Sequence, residues 1–249
     1  MKTLRARAGT AYAAGWQRAS AGLERVAPRS ARAARAVPRL PANPLSRRFG
    51  LDRGRPIDRC YIERFLARHG ADVRGRVLEI YESTYSERFG GERVERCDVL
   101  DVDSDAPRAT LRGDLATGEG IPAGAFDCFI LTQTLGLVYD IAAAVEHAYA
   151  ALAPGGVLLA SVPGISHQSQ AGTEEFPDYW RFTKLSAERL FAERFGERNV
   201  TVEARGNVAT SAAFLYGLAE HELDAALFDR DDPDYELVIC VRAVRGASR

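Results

Sequence analysis

Acidic residues recur at one kind of place in this sequence, at or just after short, apolar, β-prone runs. Glu79 stands in VLEIY, Asp101 closes VERCDVLD with Asp98 and Asp103 on either side, and Asp114 follows ATLRG. Gln133 and Thr134 come after FDCFILT begins to lose its apolar character, and His167 follows VLLASVPG. A carboxylate ending one strand can accept both hydroxyls of a ribose. A carboxylate beside the next strand can accept from the exocyclic amine of adenine, while the adjacent backbone N–H, that of Leu115, donates to the ring. The ordered set of acid, acid and apolar wall suits an adenosine-bearing ligand. It suits a polyphosphate poorly, because no glycine-rich cradle and no P-loop lysine accompany it. An aspartate after a strand is more often a turn or helix cap, so the weight lies on the set and not on any single acid.

The elements that must position these residues alternate. The stretch PIDRCYIERFLARHG predicts a helix with Pro56 at its start, an apolar face of Ile57, Tyr61, Ile62, Phe65 and Leu66, and Gly70 as its stop. Strands are predicted at RVLEIY, VERCDVLDV, ATLRGDL, FDCFILTQTL, VLLASVPG, NVTVEARG and YELVICVRAV. Helices are predicted at DIAAAVEHAYAALA, LSAERLFAERF and ATSAAFLYGLAEHEL. The fourth strand is nearly all apolar, as a strand buried on both faces is. This alternation predicts an α/β fold: a Rossmann-like, doubly wound, mostly parallel seven-stranded sheet with helices on both faces. In such sheets ligands lie beyond the carboxyl ends of the strands, where the strand order reverses.

The net charge of −1 hides an asymmetry. Residues 1–50 carry 11 Lys and Arg and one acid, Glu24; the other 199 residues carry 22 basic and 33 acidic groups. Leu4, Ala8, Tyr12, Trp16, Ala19, Leu23 and Val26 recur at helical spacing, and prolines punctuate residues 28–56. We therefore expect a basic N-terminal helical arm and Pro-rich linker over 1–50 and one folded domain over 51–249. The arm's composition is that of a segment that docks on the protein's own acidic surface, self-associates or meets a biosynthetic partner. Transit peptides and nucleic-acid-binding arms share it. The four cysteines are far apart with no CxxC pair, which favours free thiols and a cytoplasmic location, and the four scattered histidines suggest no metal site. No run reaches the ~18 apolar residues of a membrane-spanning helix.

The segments VLEIYES (77–83), GDL (113–115), FDCFILTQTL (126–135), LAPGGVLLASVPGI (152–165) and DYWRFT (178–183) together resemble a class I S-adenosylmethionine-dependent methyltransferase. More narrowly, RGRPIDRCYIERFL, FDCFILTQTL, PGI, DYWRFT and GNV resemble a bacterial subgroup that often occurs beside glycosyltransferases and other tailoring enzymes. The resemblance covers roughly residues 50–245. It implies S-adenosyl-L-methionine as cofactor and a small-molecule or glycan acceptor, with O-methylation in a biosynthetic pathway as the expected reaction. Glu79 matches the acid that organises the loop under the cofactor's methionine portion. Asp101 is the best match to the ribose-binding acid, with Asp98 and Asp103 as rivals. Asp114 and Leu115 match the adenine side, Gln133 lies where the methyl-transfer site is lined, and Tyr61 is placed to close over the cofactor.

One departure stands out. Many relatives carry Gly-x-Gly-x-Gly after the first strand, and glycine lets a backbone approach a ligand closely. Here Tyr81, Ser83 and Tyr85 occupy that region. Either Ser83 and Tyr85 replace backbone contacts with side-chain ones, or Tyr81 fills the methionine pocket and the chain is a non-catalytic partner with a methyltransferase fold. For O-methylation a general base is expected near the acceptor. His167 is the first candidate and Asp178 the second, with Tyr179, Trp180 and Arg181 as an aromatic and cationic wall. An RNA methyltransferase is the remaining alternative. The basic arm suggests it; the acidic body, with no recognisable RNA-binding module, argues against it.

Overall fold

The computed structural model describes residues 41–102, 106–169 and 177–246. Residues 1–40 of the expected N-terminal arm and Asp103 lie outside them. The compact unit begins at Pro44. Residues before Leu51 belong to it: Leu45 N–H donates to the Tyr216 carbonyl at 2.8 Å, and Ser46 Oγ donates to the Asp52 carboxylate.

Seven strands form one sheet: β1 Gly75–Ile80, β2 Val94–Asp101, β3 Leu111–Arg112, β4 Phe126–Thr132, β5 Leu152–Pro163, β6 Val200–Arg205 and β7 Val238–Val244. Their order across the sheet is β3-β2-β1-β4-β5-β7-β6. The first five pair in parallel, while β7 runs antiparallel to both β5 and β6. The Rossmann-like, mostly parallel expectation holds, and the order reverses between β1 and β4.

Alternation along the strands sorts the core onto two faces. On β4, Phe129 and Leu131 join Leu78, Leu158, Ala160 and Ile239 beneath helices α2 (Ile141–Ala151) and α3 (Lys184–Phe195). Cys128 and Ile130 join Val77, Leu159 and Cys240 beneath α1 (Ile57–Arg68) and α4 (Val208–Leu215). Both faces of β4 are therefore buried, which is why that strand reads as an apolar run. Local signals fix the helix starts. Asp140 accepts from Ala143 N–H, and Thr183–Ser186 and Asn207–Thr210 form reciprocal caps.

Strand β3 is far shorter than ATLRGDL predicts. The chain turns at Asp114, whose carboxylate accepts from Ala116 N–H at 2.7 Å and whose carbonyl accepts from Gly118 N–H at 2.7 Å. The four cysteines are free. Among the described residues no helix is long and apolar enough to cross a membrane, and no cluster of His, Cys, Asp and Glu could hold a metal ion.

Candidate functional site

The turn after β1 is built by Glu79. Its buried carboxylate accepts from Tyr85 N–H at 3.0 Å, Ser86 N–H at 2.7 Å and Ser86 Oγ at 2.6 Å. Burial raises its pKa, and the hydrogen bonds from Ser86 and Tyr85 oppose the rise. Those three bonds pin the start of the following helical turn back onto the strand. Tyr81 bridges the gap with φ +71°, a conformation that glycine adopts without strain. Its ring is 69% exposed, so Tyr81 does not fill a pocket. Ser83 Oγ donates to Glu87 at 2.6 Å, and the Tyr85 hydroxyl accepts from Arg59 Nη1 at 3.3 Å, so both are engaged within the chain.

Asp101 closes β2 opposite Arg112 of β3, and its carbonyl accepts from Gly113 N–H at 3.0 Å. Its rival Asp98 is ruled out by its environment. It is buried in mid-strand, bonded to Arg76 at 2.7 Å and Arg96 at 2.7 Å. Burial alone would raise its pKa; the two guanidiniums reverse that and hold it below the usual range. Asp114 sits in the turn after β3. Leu115 beside it is buried, and its carbonyl is 2.9 Å from His147 Nδ1.

On the other side of the switch point, beyond the ends of β4 and β5, lies a cleft of about 250 Å³. Gln133 lines it, together with His167, Asp178, Arg181, Asp58, Arg59 and the apolar walls Phe49 and Phe214. Of the residues expected to hold the cofactor, only Gln133 reaches this cleft. Glu79, Asp101, Asp114 and Leu115 stand on the β1–β3 side and do not line it.

His167 is stacked on Phe49, with ring centroids 3.9 Å apart and planes 11° apart. Its Nδ1 is 2.6 Å from the Gln168 carbonyl, which can only accept, so Nδ1 carries a hydrogen, and in the neutral ring Nε2 is then the acceptor. Nε2 is buried and has no hydrogen-bond partner among the described residues. An unpartnered acceptor beside a cleft is what a proton-accepting group requires.

Asp178 is a poor base. Its carboxylate accepts from Arg181 Nη1 at 2.5 Å, Arg181 Nη2 at 2.8 Å and Ser169 N–H at 2.8 Å. Arg181, first of these, lowers its pKa. Arg181 also donates to the His167 carbonyl at 2.7 Å and the Trp180 carbonyl at 2.9 Å, so the pair clamps the loop that carries His167. Trp180 does not face the cleft as a wall. It packs on the core, and its Nε1 donates to the Tyr139 carbonyl at 3.1 Å. Tyr179 points outward, 48% exposed.

Tyr61 is a second correction. It is fully buried, its ring packs against Phe228, and its hydroxyl donates to Thr210 Oγ1 at 3.3 Å. It belongs to the apolar stripe of α1 and cannot close over a ligand. The residues of that helix that do reach the cleft are Asp58 and Arg59, in its first turn. Enclosure raises the Asp58 pKa, against the pull of Arg59. Both are the charged residues of the PIDR segment, set between Ile57 and Tyr61 of the apolar stripe. Phe49 came from a stretch that reads as linker and gave no signal.

Three non-glycine residues among those described have positive φ: Phe49, Tyr81 and Gln133. Two line the cleft, and the third directly follows β1. Strain of this kind, ~1–3 kcal/mol per residue, persists where the surroundings enforce it and concentrates at functional sites.

The doubly wound sheet and its switch point define the class of fold. No protein-family model matches the chain, and no curated protein sequence does. Among solved structures it is similar to a SAM-dependent methyltransferase from Archaeoglobus fulgidus, at 12% identity over 75% of this chain and 94% of that one, TM-score 0.49. It is similar also to an S-adenosylmethionine-dependent methyltransferase from Mesorhizobium loti, at 16% identity over 79% and 100%, TM-score 0.49. A third is the N-methyltransferase NodS from Bradyrhizobium japonicum in complex with S-adenosyl-L-homocysteine, at 14% identity over 78% and 89%, TM-score 0.48. The activities named are those proteins' own.

Proposed function

We propose that the protein transfers a methyl group from S-adenosylmethionine to a hydroxyl of a small-molecule or sugar acceptor. The observation that carries this reading is the placement of the three positive-φ non-glycine residues among those described: Tyr81 directly after β1, and Gln133 and Phe49 in the lining of one cleft. Carboxylates lie on the β1–β3 side of the switch point and a cleft with an unpartnered imidazole nitrogen on its β4–β5 side. The residues fit the cofactor. Glu79 holds the turn, the exposed Tyr81 ring leaves the turn unplugged, and Asp101, Asp114 and the Leu115 N–H supply polar groups for an adenosine. The exposed ring also weighs against the non-catalytic alternative, which required Tyr81 as a plug.

S-adenosylmethionine, when bound, supplies an electrophilic methyl on a sulfonium. The chain's part is to position and deprotonate the acceptor. Gln133, at the end of β4, stands between the two sides. The apolar walls Phe49 and Phe214 keep water from the reacting hydroxyl. His167 Nε2 would take the proton of the acceptor hydroxyl placed in the cleft. Arg181 and Asp178 fix the imidazole's loop without touching the proton.

Calorimetric titration with S-adenosylmethionine tests the reading, on the wild type and on Asp114→Asn. Asparagine preserves the acceptor that caps the turn and removes the charge. Micromolar binding, weakened at least about tenfold by the substitution, is expected; a bidentate or charge-assisted contact is worth ~1.5–3 kcal/mol. A folded protein, free of co-purified cofactor, that shows no heat at high micromolar ligand overturns the proposal.

A further inference from the structure

Beside the cleft the surface carries an aromatic step that the chemistry above does not use. Tyr139 is 70% exposed and Tyr179 48% exposed, and their rings meet edge to face with centroids 5.2 Å apart. Trp180 forms the footing: its ring is 5.9 Å from that of Tyr139, and its Nε1 holds the Tyr139 carbonyl. The backbone N–H groups of Tyr179 and Trp180 both donate to the Gly136 carbonyl, at 2.9 and 3.1 Å. Gly136 permits this approach, because a Cβ there would come within 3.3 Å of the Trp180 carbonyl oxygen and of Pro163. Gly136, Leu137, Asp178 and Arg181 all line the cleft, so the step adjoins its wall at two points of the chain.

Two tyrosines fixed beside the cleft offer aromatic faces to a ligand that extends from it, and the neighbouring charges bear on which ligand fits. Asp140 follows Tyr139, with one carboxylate oxygen engaged in capping α2, and the Arg181 guanidinium is held by Asp178. With Arg181 paired to Asp178 and the Asp140 carboxylate next to Tyr139 in the chain, these charges do not favour a phosphate, which counts against nucleic acid and against an anionic membrane. An amphipathic ring with an apolar C–H face and outward hydroxyls meets both the tyrosine faces and the carboxylate. The cleft's 250 Å³ is below the ~300–1,000 Å³ of pockets that engulf a whole drug-sized ligand, so a longer acceptor must extend past its wall.

We infer that Tyr139 and Tyr179 form a stacking subsite for a neutral saccharide ring, next to the ring or group whose hydroxyl enters the cleft. The inference rests on reading the cleft as the acceptor site. Its test does not need methyl transfer to occur.

The full chain is applied, without S-adenosylmethionine, to a printed array of neutral and acidic oligosaccharides, alongside Tyr139→Ala, Tyr179→Ala and the control Tyr235→Ala, an exposed tyrosine elsewhere in the sequence. Retention of at least one neutral glycan is expected. Each subsite variant should lose it by roughly tenfold, as an aromatic contact worth about 1.4 kcal/mol implies. The control should match the wild type. Neither residue belongs to the buried core, so the variants are expected to fold, which unchanged circular dichroism and thermal melting verify. No saccharide retained by the wild type, or retention undiminished in both variants, overturns the subsite. Saccharide binding by a chain that shows no affinity for S-adenosylmethionine leaves the subsite standing and removes the methyl-transfer reading. Cofactor binding without any saccharide does the reverse.

Discussion

At Tyr81 the structure predicts an inverted ranking of two substitutions. At an ordinary site, replacing alanine by glycine destabilises by roughly 0.5–1 kcal/mol, because the unfolded glycine has more freedom to lose. Tyr81 has φ +71°, where any Cβ crowds the carbonyl and costs about 1–2 kcal/mol. Alanine keeps that cost and glycine removes it. Both lose the same ring, 69% of which is already in water, so the burial term cancels between them. Tyr81→Gly should therefore be more stable than Tyr81→Ala by about 0.5–1 kcal/mol. For a folded unit of this size that is about 1–4 °C in melting temperature. Urea unfolding of the two variants, with equal m-values, measures it. Equal stability, or alanine above glycine, would refute the left-handed turn and with it the account of how a glycine-free sequence makes this bend. A second readout comes from ligand binding: an S-adenosylmethionine affinity tenfold tighter in Tyr81→Gly would mean that the ring obstructs the site after all.

Glu79→Ala strands two backbone N–H groups and the Ser86 hydroxyl, and should cost about 3–5 kcal/mol at ~1–3 kcal/mol per unsatisfied buried donor. Glu79→Gln, which keeps an acceptor, should cost about half as much in the same denaturation assay. Asp58 has a folded pKa raised by enclosure, so its contribution to stability is present below its unfolded value and is lost as pH rises through the raised one. Asp58→Asn should therefore melt higher than the wild type at pH 8, with the difference shrinking toward pH 4; a difference that grows on acidification would contradict the enclosure. Asp178 has the opposite sign. Its pKa is lowered, so the clamp stabilises above the ordinary aspartate pKa and weakens as pH falls through the lowered one. Arg181→Lys gives up the two-pronged pairing with Asp178. It should raise amide exchange around Ser166–His167 at neutral pH, an effect that fades in acid.

Much of the framework can be read from the residues, because burial leaves a pattern. The apolar run of β4 follows from two covered faces, and the acids at β2 and β3 follow from their place after strands. Other features depend on contacts that no local pattern encodes. That β7 runs antiparallel, and that β3 is cut short by the turn at Asp114, depends on partners far along the chain. Tyr61 is the instructive case. Its spacing with Ile57, Ile62, Phe65 and Leu66 already placed it on the helix's buried stripe, and that physical signal was right where the resemblance pointed outward. Asp178 and Arg181, three residues apart, satisfy one another, which removes the one as a base and the other as a free cation. The left-handed backbone at Phe49 and Gln133 has no signature in residue type at all, since neither is glycine or asparagine.

The position of β7 bears on how the protein is made. It sits between β5 and β6, yet it is the latest of the sheet's strands to leave a ribosome. Until residues 238–244 emerge, β5 has an unpaired edge along its whole length and β6 has no neighbour in the sheet, for several seconds at ordinary elongation rates. The nascent chain meanwhile presents VLLASV on an open edge, a run with the β-propensity and low charge of an aggregation-prone segment. Translation that stalls between β6 and β7 should thus leave a species that recruits chaperones, while a stall after β7 has emerged should not.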